Sequence, residues 1–413
     1  MAVIAVIAAF LGGTAALAIG RAVGWVGRDE TTTVVLPAGG EGARDEAGSA
    51  SRRNGGGPKA GSERPLVANG FDPAAIYRAR AAGVVTIYAL FGTHATNGRG
   101  DAAQGSGFVV SRGGYILTNS HVITTAGDED LDAGARAATT IYVEFRDGDR
   151  VAGRIVGWDL FDDVGVVEVD PGAHRLIPVP LGDSSRVTVG QPVAAIGSPF
   201  GEVSSLSVGV VSATERSIAS LTSEYNVVDA IQTDTPINRG NSGGPLLDAR
   251  GRAIGINAQI RSESGTAEGV GFAIPIDAAM RSLRQLVATG RVRYAWVGIT
   301  TETVTPALSR RFGLAVRRGA AIQSVVAASP AAKAGLHAGG EEEEFAGIDF
   351  RPGGDVVVAI DGTEVETAED VVREVTERLP GEHVAFTVQR GSERRVVDVV
   401  LGERPRTPPD AGR

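Results

Sequence analysis

Cysteine is absent from all 413 residues. No disulfide framework and no cysteine-based zinc site can form, so stability must come from packing. Histidine is scarce, with five residues, and no His-x-x-x-His spacing occurs. Acidic clusters with the pattern of a calcium loop are missing as well, so the sequence implies no metal and no cofactor. Positive charge is in deficit: 40 Lys and Arg face 49 Asp and Glu, for a net charge of −9. Without a basic stripe interleaved with aromatics, nucleic acid is excluded as a partner. Long apolar runs are lacking too, with one exception at the N-terminus.

That exception is Met1–Gly20, an uncharged run rich in Ala, Val, Ile and Leu, followed by Arg21 and Arg28. At helical rise it reaches about 30 Å, the thickness of a bilayer core. We read residues 1–27 as a transmembrane signal anchor, which would hold the rest of the chain on the extracytoplasmic side of the cell envelope. A cleaved signal peptide is the alternative, with Ala16-Leu17-Ala18 as its small-x-small site and a secreted product. Residues 28–70 are Gly, Ala, Ser, Arg and acidic residues with almost no large apolar ones. Such a segment cannot bury enough surface to offset its ordering entropy, and reads as a disordered linker. Order resumes at Phe71-Asp72-Pro73, where Asp72 suits an N-cap and Pro73 a first helical position.

The segment that carries chemistry is Asn238-Arg239-Gly240-Asn241-Ser242-Gly243-Gly244-Pro245-Leu246. Gly240 and Gly243 allow main-chain angles that a Cβ forbids. A serine in such a turn can present its hydroxyl while the amides around it converge on one point. Serine hydrolases need both, a reachable nucleophile and N–H donors where negative charge develops. A plain glycine-rich hairpin competes with that reading in a chain with 57 glycines, so the other residues must decide.

His94, His174, His337 and His383 sit in unremarkable loop or turn settings. His121 is different. Ser106–Val110 and Tyr115–Thr118 flank the turn Arg112-Gly113-Gly114 as a β-hairpin, and His121 ends the second strand. Imidazole titrates near neutral pH, which makes His121 the natural general base for Ser242. The base needs an acid to hold its tautomer. Asp163 is chosen because it directly precedes the apolar run Val164–Val167, where a carboxylate can be partly buried. Asp159 and Asp162 read as solvated turn residues. The chain order is therefore His, Asp, Ser, which differs from that of subtilisins and α/β-hydrolases.

At these residues a resemblance becomes specific. Gly107-Phe108-Val109, Tyr115–Val122, Asp163–Val167, Ile196–Gly201, Gln232-Thr233-Asp234, Asn238–Leu246 and Gly271–Pro275, in that order, resemble the HtrA/Deg family of trypsin-like serine proteases. The resemblance runs over roughly residues 72–405. Gly165 departs mildly, standing where that family has alanine. The resemblance implies His121, Asp163 and Ser242 as the triad, an oxyanion hole from the amides of Gly240 and Ser242, and assembly as a homotrimer, for which Phe71 and Tyr77 offer apolar contacts. It also gives meaning to Asn241. In zymogen-activated relatives an aspartate before the serine pairs with a newly cut N-terminus, and an uncharged residue there removes that switch. Activation by ordering of loops near Ser198–Gly201 and Arg261–Glu268 is expected instead. Ile237, Gly271, Phe272 and Ala273 should shape an uncharged substrate pocket for small or medium aliphatic residues.

Short alternating strands recur from Val84 to Ile274 with Gly and Asp turns between them, a pattern of barrels or sandwiches. The resemblance selects an all-β double β-barrel, chymotrypsin-like, over residues 71–290, with the join near Pro171–Leu181. Ile276–Thr289 has helical spacing and stops at Gly290. Residues 294–405 resemble an α/β PDZ domain. Trp296-Val297-Gly298-Ile299 is similar to that fold's carboxylate-binding loop, where backbone N–H groups capture a peptide C-terminus and the peptide adds as a strand. Ser329–Gly335 reads as a capped short helix, and Thr367 with Asp370 as a capping box for a helix over Ala368–Leu379. The segment Glu341–Gly353 interrupts the PDZ pattern and reads as a solvated acidic loop. The whole implies a serine endopeptidase acting on misfolded or regulatory extracytoplasmic proteins. A catalytically dead PDZ scaffold and a protease with a single signalling target are the competing functions.

Overall fold

Alternate strand residues point to opposite faces, and in this chain both faces are apolar. Val85, Ile87, Ile116 and Val167 are fully buried and fill the inside of one barrel. Their strand neighbours Val84, Phe108, Leu117 and Val166 are also buried, but pack with Ala194, Ile196 and Leu247 from a second barrel. The near-continuous apolar runs of each barrel therefore serve two cores, one inside that barrel and one along the seam between the barrels.

The structure is a computed structural model that describes residues 70–92, 102–126, 135–198, 205–238, 240–258 and 270–409. Helix α1 (Pro73–Arg80) opens it, with the Ala75 amide donating to Asp72 Oδ1 at 2.9 Å. The first barrel comprises β1 (Val84–Leu90), β2 (Ala102–Val109), β3 (Tyr115–Thr118), β4 (Thr140–Glu144), β5 (Arg150–Asp159) and β6 (Val164–Val169). It closes in the order β1-β2-β3-β6-β5-β4, and a helical turn, α2 (Ser120–Ile123), follows β3. The second comprises β7 (Pro192–Gly197), β8 (Ser205–Ala219), β9 (Asn226–Thr233), β10 (Pro245–Leu247), β11 (Ala253–Ala258) and β12 (Gly271–Pro275). It closes as β10-β11-β12-β9-β8-β7. Helix α3 (Ile276–Thr289) lays Ala279, Leu283 and Leu286 on the seam and ends at left-handed Gly290, φ +74°.

The C-terminal module begins with β13 (Ala295–Trp296) and β14 (Ile299–Thr303), followed by α4 (Pro306–Phe312), β15 (Ala320–Val325) and α5 (Pro330–Ala334). Then come β16 (Glu343–Phe345), β17 (Ile348–Phe350), β18 (Val356–Ile360) and β19 (Thr363–Glu364). Helix α6 (Ala368–Thr376), β20 (His383–Arg390), β21 (Glu393–Val400) and β22 (Gly402–Glu403) complete it. The main sheet runs β14-β15-β18-β20-β21, which leaves β14 at an edge, and β13 pairs with β22. Helix α6 has the capping box read from Thr367 and Asp370 but stops at Thr376, three residues short of the expected end. The acidic segment is not simply a loop. Glu341–Glu344 are exposed, but β16 and β17 form a hairpin whose Phe350 is 1% exposed and packs with Val304, Leu308 and Val356.

No helix among the described residues is long and apolar enough to cross a membrane. The anchor read from residues 1–27, and all of the linker but Gly70, lie outside the described residues.

Candidate active site

The end of β3 and the start of β6 pair side by side, Thr118 opposite Gly165. This register carries the chain beyond each strand, α2 and the turn before β6, to the same place. His121 lies on α2, just past the strand that it was expected to end. Asp163 has φ +50°, a left-handed conformation that is costly for a residue with a Cβ. Its surroundings over-determine it: Asn119 Nδ2 donates to the Asp163 carbonyl at 2.9 Å and the Ser120 amide does so at 3.2 Å. Gly165 follows from the same crowding, since a Cβ there would meet the Asn119 carbonyl at 2.8 Å. The alanine of the resembled family would not fit without a shift.

Asp163 is 4% exposed and its carboxylate is fully engaged. Oδ1 accepts from Ser120 Oγ at 2.7 Å and from the His121 amide at 3.0 Å. Oδ2 lies 2.7 Å from His121 Nδ1. A carboxylate can only accept, so Nδ1 carries the proton and Nε2 keeps its lone pair. Burial works against a charged imidazolium, but attraction to Asp163 and their hydrogen bond outweigh it, and the His121 pKa is raised. Ser120 and Asn119 were not singled out from sequence. Their only signal was adjacency to His121 in the segment Thr118–Val122.

Ser242 lies in the turn before β10, with Gly240 at φ +108° and Gly243 at φ +86°. The two barrels meet here at backbone contact. The Ser106 amide on β2 donates to the Ser242 carbonyl at 2.8 Å, and Ser106 Oγ donates to the Gly240 carbonyl at 2.5 Å. A Cβ on Gly243 would lie 2.2 Å from the Ser106 carbonyl, and one on Gly197 would lie 2.4 Å from Asn241 Cα. Both glycines are therefore required by close approach. The Ser242 hydroxyl is not exposed as the sequence suggested. It is buried and has no hydrogen-bond partner among the described residues. Such an orphan costs about 1–3 kcal/mol and calls for an explanation such as a catalytic role.

Asn241 is 6% exposed and ties its own segment together, accepting from the Asn238 amide at 3.0 Å and donating to the Pro236 carbonyl at 3.1 Å. Ile237 packs over Gly271, whose Cβ would come within 2.5 Å of Ile237 Cγ1. Ala273 is buried and Phe272 half-buried on the same strand, β12. Most of the two loops expected to order on activation, and Arg239 beside Gly240, lie outside the described residues. Asp159 and Asp162 correct the sequence reading most clearly. They are 2% and 5% exposed, not solvated, and face the root of the C-terminal module.

Residues 105–256 match the family model described as a trypsin-like peptidase domain, and residues 296–401 match the model for the PDZ domain. A solved structure, the HtrA-type protease AlgW with tripeptide, is 32% identical with a TM-score of 0.65, covering 83% of this chain and all of that one. The chain belongs to the HtrA protease family and carries one PDZ domain. A probable periplasmic serine endoprotease DegP-like from Brucella suis biovar 1 is 36% identical over 73% of this chain and 53% of that protein. A relative of the same description from Halomonas elongata is 39% identical, over 75% and 58%. The chain thus spans little more than half the length of these curated relatives. In this HtrA chain the PDZ loop is shaped by Gly298, at φ +84°, whose Cβ would strike Ser329 at 2.3 Å. The Val326 amide just past β15 donates to the Gly298 carbonyl at 2.9 Å, and the Ala331 amide on α5 donates to the Val297 carbonyl at 2.9 Å, which fixes the loop against both elements. Trp296 belongs to β13, Val297 is buried, and Ile299 begins edge strand β14.

Proposed function

We propose that this chain is a serine endopeptidase of the cell envelope, with His121, Asp163 and Ser242 as its catalytic triad. The observation that carries this is the 2.7 Å contact of His121 Nδ1 with buried Asp163, together with the orphaned hydroxyl of Ser242, whose turn packs on the same corner: a Cβ on Gly243 would lie 3.2 Å from the Asn119 nitrogen. With Nδ1–H held by Asp163, Nε2 takes the Ser242 proton as Oγ bonds to the scissile carbonyl carbon. Negative charge then moves to the carbonyl oxygen, against the amides of Ser242 and Gly240. Nε2 returns the proton to the departing amine, and a water molecule repeats the sequence to free the acyl group. Ile237, Gly271, Phe272 and Ala273 are proposed to shape an uncharged pocket for a small or medium aliphatic side chain, a reading supported by the close approach of Ile237 to Gly271. Labelling with a fluorophosphonate tests the reading: stoichiometric modification of Ser242 is expected, and an unlabelled protein would leave a PDZ scaffold in its place.

Extracytoplasmic proteins, misfolded or regulatory, are the proposed substrates, as the names of the periplasmic relatives suggest. Residues 1–27 are proposed as the anchor and 28–70 as the tether. Residues 71–290 would cut, and residues 294–405 would bind peptide C-termini at Trp296, Val297, Gly298 and Ile299. A homotrimer is proposed as well. Phe71 and Tyr77 are half-buried against their own chain's core, so they offer only part of their surface to neighbours. Protein from residue 70 onward should sediment as a trimer, and a monomer at micromolar concentration would refute that assembly.

The PDZ domain should do more than tether. A C-terminal peptide shifts the protease only through a difference in affinity for its idle and competent states. A coupling of about 1–3 kcal/mol corresponds to roughly 5- to 150-fold. A saturating apolar C-terminal peptide is expected to raise hydrolysis of a chromogenic substrate too short to reach the PDZ groove. An unchanged rate would reduce the domain to a tether.

A further inference from the structure

Three residues before the proposed PDZ carboxylate loop's Val297, Tyr294 reaches back into the protease domain. It is 1% exposed, and its ring meets Phe161 edge-on at 5.0 Å. Its hydroxyl lies 2.5 Å from Asp159 Oδ2 and 2.6 Å from Asp162 Oδ2. Asp159 ends β5, and Asp162 lies in the turn that follows, which ends in Asp163 just before β6. The phenol has one proton, and so can donate to one carboxylate only. The second contact would set two lone pairs against each other unless a carboxyl supplies its own proton.

The partners indicate which carboxyl holds it. Asp162 Oδ2 also accepts from the Arg281 guanidinium at 3.0 Å, which balances an ionised group. Besides the phenol, Asp159 meets only neutral donors among the described residues: Ser282 Oγ at 2.6 Å on Oδ2, and the Phe161 and Asp162 amides at 3.0 and 3.5 Å on Oδ1. A protonated Asp159 can donate to Tyr294, which donates in turn to ionised Asp162. Burial and the nearby charge of Asp162 push Asp159 up to about 6. Among the described residues, the other charged or titratable groups around the cluster include Asp163 on the turn, Arg281 on α3, Tyr225 and Asp229 from the β8–β9 region, and Arg404, while Arg154, Glu224, Arg291 and Arg406 line the cavity beside Asp159. Arg404 follows β22 and lies over the rings of Tyr294, Phe161 and Tyr225 at 5.0, 5.4 and 5.2 Å. Its amide donates to the Tyr294 carbonyl at 2.8 Å. Both ends of the PDZ domain therefore converge on the turn that presents the catalytic carboxylate.

We propose that Tyr294 is a positioning residue of the triad: through a proton shared with Asp159 and Asp162 it holds the turn carrying Asp163, so that alignment of His121 depends on docking of the PDZ root. This rests on the protease reading. Tyr294→Phe removes one hydroxyl and leaves the two carboxyls facing each other without a mediator. They can share a proton in acid but repel once both are ionised. On a short chromogenic peptide, kcat is expected to fall roughly ten- to a hundredfold at pH 8, with KM little changed and a smaller loss at pH 6. Adding Asp159→Asn, which cannot ionise, should remove that pH dependence of the loss. Wild-type kcat in Tyr294→Phe, or a loss equal at both pH values, would overturn the positioning role.

A second arm needs no catalysis, so its outcome is separate from that of the protease reading. A carboxyl whose pKa is raised on folding contributes stability in acid that is lost as pH rises through about 6. Asp159→Asn escapes that loss. Its melting temperature should gain about 3 °C on wild type between pH 5 and pH 8. A difference constant over that range would overturn the shared proton, whether or not Tyr294→Phe folds.

Discussion

Ser242→Ala is expected to lower peptide-bond hydrolysis by roughly 10⁴- to 10⁶-fold, the scale on which triads fail when the nucleophile is removed. The fold should be untouched, for a reason specific to this site. Removing a hydroxyl usually leaves a partner unpaired, and that is what destabilises. Here Ser242 Oγ has no partner among the described residues, so its loss orphans nothing. What holds the turn is backbone: the Ser242 carbonyl to the Ser106 amide at 2.8 Å, and the Gly243 amide to the Asn257 carbonyl at 2.9 Å. Melting temperature should stay at the wild-type value or rise slightly, while casein cleavage and fluorophosphonate labelling disappear together. A Ser242→Ala protein that still cut casein at near the wild-type rate would move the nucleophile elsewhere.

Much of this site was legible because its local chemistry is written in adjacent residues. The hairpin expected around Arg112-Gly113-Gly114 forms, with Phe108 opposite Leu117, because period-two patterning and turn glycines agree. The apolar run after Asp163 marked it out, and it is the aspartate of this segment that meets His121, at 2.7 Å. The same reasoning misjudged Asp159 and Asp162, since what buries them is distant in sequence: Ser282 and Arg281 on α3, and Tyr294 beyond it. A turn rich in aspartate looks solvated until another element covers it. Glu341–Gly353 failed in a similar way. Its four consecutive glutamates dominate the composition, but Phe345 and Phe350 bring the segment onto the PDZ core. Gly243 was read as a turn residue, and only the approach of the two barrels shows that contact with Ser106 requires it as well. Local pattern gives the elements, whereas burial of polar groups depends on which elements meet.

Asp163→Asn should cost about 10⁴ in kcat, and its pH profile should show why. Asn can still accept at Oδ1 from Ser120 Oγ and the His121 amide, so the turn survives. Its Nδ2 would face His121 Nδ1 as a donor, which favours the tautomer with the proton on Nε2 and leaves no base for Ser242. The His121 pKa is raised because Asp163 favours the imidazolium more than burial opposes it. Catalysis needs the neutral ring, so wild-type activity should rise with pH through a value above 6.5. The stability from the charged pair runs the other way, present in acid and lost as pH rises through that same value. In Asp163→Asn the rising limb should move to lower pH and the acid stability should shrink. Asp162→Asn offers the contrast. It removes the partner of Arg281, whose side chain is 25% exposed, and breaking a buried pair costs on the order of 3 kcal/mol. That variant should melt well below wild type while keeping at least a hundredfold more activity per folded molecule than Asp163→Asn. Equal kcat in the two variants, measured against the folded fraction, would show that Asp163 is not the acid of the triad.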